Sequence, residues 1–468
     1  MTASIVVRNP ADLRQVVGEV PAMDADDIAR LYDSAAEGAR AWRATNALER
    51  AAILAAAARL LVDRLDAIAH DLVSEMGKTL AEARVEVKKS SEFFEFFAAL
   101  ARVPYGELLH DARPGTETSA RREPLGVVLL ITPWNDPLLT PARKLAPALI
   151  AGNAAILKPA TDTPLVALHL ARALEDAGLP AGVLAVATGR GRDISQALLS
   201  DPRLAAVSFT GGNEVGAELR LALAPTNVRL QTELGGKNAS VVLADADLDI
   251  AAATIAAAGF GQTGQRCTAT SRVIVERAVA GDLLGRLAAQ AEAQRLGSGL
   301  DPETTVGPLV SPGHQEDVLG HLEQALDEGA TVVVGGGRPD DERLAHGCFV
   351  EPSVLSDISR SMAIWREEVF GPVLAVHEVG DFDEAVAATN DSRYGLSAAI
   401  FTRDLGYAHR FADLAEVGQV AVNLPTSGWD VHMPFGGFRD SGSAFKEQGV
   451  DALRFYTRTK TVAIRFAP

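Results

Sequence analysis

Residues 126–131 read Gly-Val-Val-Leu-Leu-Ile, a run with no polar side chain and no alternation. A strand with one wet face alternates apolar and polar residues. A strand apolar throughout is buried on both faces, which requires a sheet covered by helices on either side. Ala154–Leu157 and Ala205–Phe209 repeat the pattern. Helical stretches separate these runs. Thr163-Pro164 opens one with a cap and a first-turn proline, Gly178 ends it ahead of Pro180, and Asn213–Ala224 forms the next. Strand and helix in alternation imply right-handed crossovers and a parallel sheet.

A second alternating block follows. Ser240–Leu243, Arg272–Val275, Thr331–Val334, Val373–Val379 and Ser397–Phe401 read as strands. Asp247–Ala258, Ala280–Arg295, Ser311–Glu328, Asp381–Asn390 and Asp404–Leu414 read as helices. Asp381 with Glu384 resembles a capping box, with Asp in place of Ser or Thr. The fold class is therefore α/β, with two doubly wound parallel-sheet domains meeting near Leu234–Lys237. The first hundred residues read as helical: Asp24 caps a stretch to Trp42, and Leu48–Leu65 and Lys78–Arg102 follow, with Phe93, Phe94, Phe96 and Phe97 as core. Thr116–Glu123 and Thr457–Phe466 are strand-like and belong to neither sheet, so their edges call for partners that a dimer or tetramer would supply.

Composition excludes several function classes. The 468 residues are 47% hydrophobic and 22% charged, which suits a folded chain and not a disordered one. The net charge of −17 repels phosphodiester backbones and anionic lipid, so neither nucleic acid nor a membrane surface is an expected partner. No apolar run reaches the length of a membrane span, and the N-terminal stretch lacks the apolar core of a signal peptide. Two cysteines, Cys267 and Cys348, exclude a disulfide scaffold and suit a reducing cytoplasm.

Five groups of residues carry chemistry by type. Cys267 lies in Gly264-Gln265-Arg266-Cys267-Thr268. A lone cysteine is more often a small buried hydrophobe, but glycines at 261 and 264 and the adjacent Arg266 make this loop irregular and polar. Cys348 has no such context and reads as structural. Glu233 ends a strand before Leu234-Gly235-Gly236-Lys237, where open α/β sheets bind ligands; a surface Glu before a turn is the plain alternative. Asn135 follows the first buried strand in Thr132-Pro133-Trp134-Asn135-Asp136-Pro137, and serves either as an oxyanion donor or as a turn former. Lys158, before Pro159-Ala160, is a nucleotide ligand or a solvated lysine. Gly211 and Gly216 bracket a helix start suited to a pyrophosphate, without the GxGxxG fingerprint.

Taken in order, these stretches resemble the aldehyde dehydrogenase superfamily. The matching segments are ITPWNDP (131–137), APALIAGNAAILKPA (146–160), LPAGVLAVATGRG (179–191), VSFTGGNEVG (207–216), ELGGKN (233–238), GQRCTATSR (264–272), EEVFGPV (367–373) and MPFGGFRDSG (433–442), spanning nearly the whole chain. The separation of 34 residues between Glu233 and Cys267 is also that of the family. The resemblance implies oxidation of an aldehyde to a carboxylic acid with NAD or NADP as hydride acceptor. Carried over, the catalytic set is Cys267 as nucleophile, Asn135 as oxyanion donor, Glu233 as general base, and Lys158. The cofactor set is Thr132, Pro133, Trp134, Lys158, Thr161, Gly191, Thr210, Gly211, Gly212, Gly216, Glu233, Leu234, Gly235, Glu368 and Phe370. No metal is implied. The expected division is a cofactor-binding domain (1–115 and 125–236, with 420–455 returning to it), a catalytic domain (237–419), and oligomerisation strands (116–124 and 456–468) of a homodimer or homotetramer.

Three departures bear on specificity. Asp136 stands where the family often has an aromatic or aliphatic residue, and a carboxylate facing the substrate tunnel would repel an anionic aldehyde. Gly212 replaces a frequent serine. Thr161 stands where NAD-preferring members often carry Glu, which removes a charge that repels a 2′-phosphate, so NADP is expected to be accepted and even preferred. The tail segments 422–426, 432–437, 445–449 and 455–457, together with GQRCTATSR, look like the α-ketoglutarate semialdehyde (2,5-dioxopentanoate) dehydrogenases. An aromatic or other aliphatic aldehyde is the alternative substrate. A CoA-acylating relative would lack Glu233, and a non-enzymatic descendant would have lost Cys267, Glu233 or Asn135; all three are present.

Overall fold

The computed structural model describes residues 4–103 and 105–466. The chain opens with a hairpin, β1 (Ser4–Asn9) and β2 (Asp12–Pro21), then four helices, α1 (Ala25–Ala44), α2 (Ala47–Asp63), α3 (Leu65–Met76) and α4 (Leu80–Ala99). Asp24 caps α1 through a reciprocal box with Asp27, and Thr79 does the same for α4 with Glu82. The hairpin corrects the all-helical reading of this region. Burial alternates strictly along β1, and the hairpin is held by docking: Leu13 N–H donates to His346 O and Cys348 N–H to Pro10 O. A two-stranded ribbon is marginal alone, so this tertiary support decides its structure.

After β3 (Gly106–Leu109) and β4 (Thr116–Pro124) comes the first doubly wound unit: β5 (Val127–Ile131), α5 (Leu139–Ile150), β6 (Ala154–Lys158), α6 (Pro164–Asp176), β7 (Leu184–Val186), α7 (Gly191–Ser200), β8 (Leu204–Thr210), α8 (Asn213–Leu223) and β9 (Arg229–Glu233). Its five strands are parallel in the order β7-β6-β5-β8-β9. Val128 and Leu130 point into one core and Val127 and Leu129 into the opposite one, which is why the run has no polar residue. The order reverses between β5 and β8, so a crevice opens at their carboxyl ends, where Asn135 and Gly211 follow.

The second unit contains β10 (Asn238–Val242), α9 (Leu248–Phe260), β11 (Thr270–Glu276), α10 (Ala280–Glu292), α11 (Pro312–Asp327), β12 (Thr331–Val334), β13 (Ser353–Ser356), α12 (Ala363–Arg366), β14 (Val373–Val379), α13 (Phe382–Asn390), β15 (Tyr394–Gly395), β16 (Ser397–Phe401), α14 (Leu405–Leu414) and β17 (Gln419–Val422). Its seven-stranded sheet runs β12-β13-β14-β11-β10-β16-β17 and is parallel except for the antiparallel edge strand β12. Strand β17 belongs to this sheet, so it crosses the expected boundary at 419/420. The Asp381 box is only half formed: Asp381 accepts from Glu384 N–H, while Glu384 accepts from Gly380 N–H, one residue too early to be reciprocal.

The chain ends with β18 (Phe438–Arg439), α15 (Ala452–Phe455) and β19 (Thr457–Arg465). Strands β4 and β19 pair with each other, from Thr116↔Arg465 to Thr457↔Pro124, with β3 on the far side of β4. The two peripheral strands thus find partners within the chain, a correction to the expectation that another subunit supplies them. What stays open is one edge of β19 and one of β3.

Candidate active site

Cys267 lies on the loop between α9 and β11, and Glu233 ends β9; the two residues line one cavity. Two cavities meet at this thiol. The first is lined by Pro133, Trp134, Asn135, Thr210, Gly211, Gly212, Glu233, Leu234, Gly235, Glu368 and Phe370. The second is lined by Phe93, Trp429, Thr268 and a set of charged side chains. Cys267, Asp136, Arg143 and Phe435 line both. Thus Cys267, Glu233 and Asn135 come together, with ten of the expected cofactor residues. Thr132, Lys158, Thr161, Gly191 and Gly216 are not among the lining residues, so Lys158 stands apart from the other three of its expected set.

The absent five have local explanations. Lys158 ends β6 and donates to Pro159 O at 3.0 Å; burial lowers its amine to about 8, with Asp162 close enough to oppose the shift. Thr161 sits half-buried between β6 and α6. Gly191 starts α7. Gly216 packs α8 on Leu234, whose Cδ2 would lie 2.7 Å from an added Cβ. Thr132 N–H donates to Lys158 O.

The first cavity suits a dinucleotide end. Glu368 accepts from Gly236 N–H at 2.9 Å, and a Cβ at Gly235 would run into the Glu368 carboxylate. Burial raises Glu368 to about 7. The hydroxyl of Thr210, which lines this cavity, is buried without a protein partner, as it would be where a ligand supplies one. Phe370 is held at φ 55° with its ring edge-on to Trp134, so two aromatic faces frame the inner end.

Electrostatics around Cys267 are set by burial. The Cys267 thiol is pushed up to about 12 by desolvation, with Asp136, Glu368 and Glu233 adding to the shift and Arg143 opposing it. Glu233 is raised well above the ordinary carboxylate range by desolvation and then by Glu447, and neither of its oxygens has a partner. A carboxylate so placed is a strong base once it loses its proton. Asn135 is buried and gives one amide hydrogen to Gln265 O at 2.9 Å, which leaves the other free.

Two charged residues beside Cys267 escaped the sequence reading. Arg143 lies against Phe93 and Phe435, 5.7 and 4.7 Å from their centroids, with its Nε unpartnered. Its signal was two adjacent basic residues, Arg143-Lys144, on an otherwise apolar helix eight residues after Asn135. Lys78 is buried and pairs with both Glu86 and Asp136. Asp136 therefore lines both cavities, but beside a buried ammonium. The charged lining of the second cavity comprises Lys78, Lys89, Arg143 and Arg266 against Glu82, Glu86 and Asp136.

Among the described residues no helix is long and apolar enough to cross a membrane, and no three His, Cys, Asp or Glu side chains group as metal ligands. Relatives agree with the geometry. The α-ketoglutarate semialdehyde dehydrogenase of Haloferax volcanii is 44% identical over 457 residues, covering 97% of this chain and 94% of the relative. The 2,5-dioxopentanoate dehydrogenase of Saccharolobus solfataricus is 40% identical over 97% of this chain and 95% of its own. An NAD⁺ complex of betaine aldehyde dehydrogenase from Staphylococcus aureus superposes with a TM-score of 0.97 at 33% identity, covering 100% of this chain and 92% of that one. Residues 1–462 match the profile of the aldehyde dehydrogenase family, and the chain belongs to that family.

Proposed function

We propose that the enzyme oxidises a small anionic semialdehyde, α-ketoglutarate semialdehyde, to the dicarboxylic acid. The observation that carries this reading is the charge of the substrate cavity, where four cations stand against three carboxylates. Arg143 and Arg266 reach the cavity without a carboxylate bridge closer than the 3.7 Å contact between Arg143 and Glu447. A guanidinium beside aromatic rings is well suited to a carboxylate. The two curated relatives above carry the names of this activity. The rim of Phe93, Trp429 and Phe435 favours an aromatic aldehyde as the second reading.

In the mechanism, Cys267 gives up its thiol proton to solvent and its Sγ forms a bond to the aldehyde carbon. The oxygen takes up the electron pair of the carbonyl, and the free amide hydrogen of Asn135 holds it. NAD(P)⁺ supplies the hydride acceptor, leaving a thioester on Cys267. The Glu233 carboxylate then takes a proton from water as the water oxygen attacks the thioester. The C–S bond breaks, the acid departs, and the proton held by Glu233 passes to the Cys267 thiolate. Arg143 opposes the desolvation of the thiolate and orients the distal carboxylate of the substrate.

NADP⁺ is accepted beside NAD⁺. Thr161 brings no charge against a 2′-phosphate, while Lys158 brings a positive one; Asp162 next to it favours retaining NAD⁺. The open edges of β19 and β3 make a homodimer or a dimer of dimers the expected assembly in the cytoplasm. The test is a panel of aldehydes of similar length, one anionic, one neutral aliphatic and one aromatic, each with both cofactors. A kcat/KM at least tenfold higher for the anionic semialdehyde is expected. Preference for the aromatic aldehyde selects the second reading.

A further inference from the structure

Five residues before the nucleophile the backbone does something costly. Gln262 and Thr263 lie at φ 53° and 58°, a left-handed conformation that glycine adopts freely and a β-branched residue resists. Such geometry persists only where the surroundings impose it, and here the surroundings are specific. Glu82 accepts the Gln262 backbone N–H on Oε1 at 2.6 Å, while its other oxygen closes the capping box of α4 on Thr79. Thr263 Oγ1 donates to Gly307 O at 3.0 Å. The strained pair is thus pinned to α4 on one side and to the 307 loop on the other.

The Gln262 side chain, 3% exposed, spans the two catalytic loops. Its Nε2 donates to Asn135 O at 2.6 Å and to Asp136 Oδ1 at 3.0 Å, and its Oε1 accepts from Arg266 Nε at 2.8 Å. Asn135 in turn donates to Gln265 O, two residues before Cys267. A closed chain of hydrogen bonds therefore runs from the Cys267 loop to Asn135 and back. The demand is for a primary amide of this length: a carboxylate has no hydrogen for two acceptors, and a thioether neither gives nor takes strongly.

We infer that Gln262 is a positioning residue that fixes the Asn135 carboxamide against Cys267, with Glu82 holding Gln262 in its left-handed conformation. The inference rests on the proposed reading of Asn135 as the oxyanion donor. A donor displaced by about an ångström loses much of its effect on the transition state, on the order of a hundredfold in rate.

The experiment is a double-mutant cycle read by single-turnover hydride transfer at saturating cofactor, with thermal midpoint and cofactor Kd followed alongside. Gln262→Met should slow hydride transfer by about tenfold to a hundredfold with cofactor Kd within about twofold. Gln262→Asn suits the left-handed backbone and shortens the amide by one methylene. It should lower the midpoint less than Gln262→Met does and still lose at least about fivefold in rate. In an Asn135→Ala background, either change at 262 should cost less than about threefold more, because the group it positions is gone. Wild-type hydride transfer in Gln262→Asn, or an equal loss with and without Asn135, overturns the inference. Wild-type hydride transfer in Asn135→Ala alone instead overturns the oxyanion reading beneath it.

Discussion

Lys78 Nζ lies 3.0 Å from Asp136 Oδ1, with both groups at the wall of the charged cavity beside Cys267 and Glu86 also paired with the ammonium. The pair turns an apparent obstacle to an anionic substrate into part of a compensated cluster. Gln262 Nε2 donates to the same Asp136 oxygen, and Glu86 Oε1 accepts the N–H groups of Leu138 and Leu139 at the start of α5. Lys78, just ahead of the Thr79 cap, together with Glu82 and Glu86, one turn apart on α4, touches the segments 136–139 and 262.

Removing the shared cation is therefore expected to be severe. Lys78→Met leaves the buried Glu86 and the half-buried Asp136 without their shared countercharge and should destabilise the fold by about 3 kcal/mol. Asp136→Asn keeps an oxygen for Lys78 and Gln262 and should cost only about 1 kcal/mol. Denaturant unfolding of the two variants measures the contrast; equal losses would show that the cluster is not organised around Lys78.

Arg143 is expected to set preference by substrate charge. Arg143→Leu should raise KM for an anionic semialdehyde by about tenfold to a hundredfold, the loss of one charged hydrogen bond. A neutral aldehyde of equal length should change by less than about threefold, because Phe93 and Phe435 still line the cavity. Parallel loss for both substrates would assign Arg143 to the nucleophile alone.

The reactivity of Cys267 should follow its burial. With the thiol pushed up to about 12, the free enzyme holds it protonated at neutral pH. The thiolate fraction then grows about tenfold per pH unit through pH 7 to 10. Alkylation of Cys267 by iodoacetamide should rise across that range without a plateau, and Arg143→Leu should lower it at every pH. Cys267→Ala should abolish oxidation with cofactor binding intact, whereas Cys348→Ala, fully buried beside the N-terminal hairpin, should lose stability and not activity. A plateau below pH 8 would mean that the thiol is activated in the free enzyme.

Legibility from sequence varied with the range of the contact. The run Gly126–Ile131 announced a doubly covered strand because both of its faces are apolar whatever packs on them. Cys267, Glu233, Asn135, Glu368 and Phe370 were legible through ordered motifs, and all five line one cavity. Nothing local announced β1 and β2, whose support comes from His346 and Cys348, more than 300 residues away. Nor did the bond between Lys78 and Asp136, which spans 58 residues, or the amide of Gln262 reaching Asn135 across 127. Side chains that act by joining two loops have no periodicity to betray them.

Cofactor choice should respond to charge at position 161. On the proposed cofactor reading Thr161→Glu puts a carboxylate beside a 2′-phosphate, and like charges a few ångströms apart in a partly screened site cost on the order of 1–4 kcal/mol. kcat/KM for NADP⁺ should fall at least about tenfold while NAD⁺ is spared. An unchanged cofactor ratio would remove position 161 from cofactor selection.

The most direct test of the account is the time course of Glu233→Gln. Cys267, Asn135 and the cofactor cavity are untouched in this variant, so aldehyde and NAD(P)⁺ should give a rapid burst of about one reduced cofactor per active site. A slow steady rate should follow, because the neutral amide cannot take the proton of the attacking water. Mass spectrometry of the quenched enzyme should find the acyl group on Cys267. Linear turnover at the wild-type rate, with no burst and no acylated Cys267, would contradict the division of labour between these two residues.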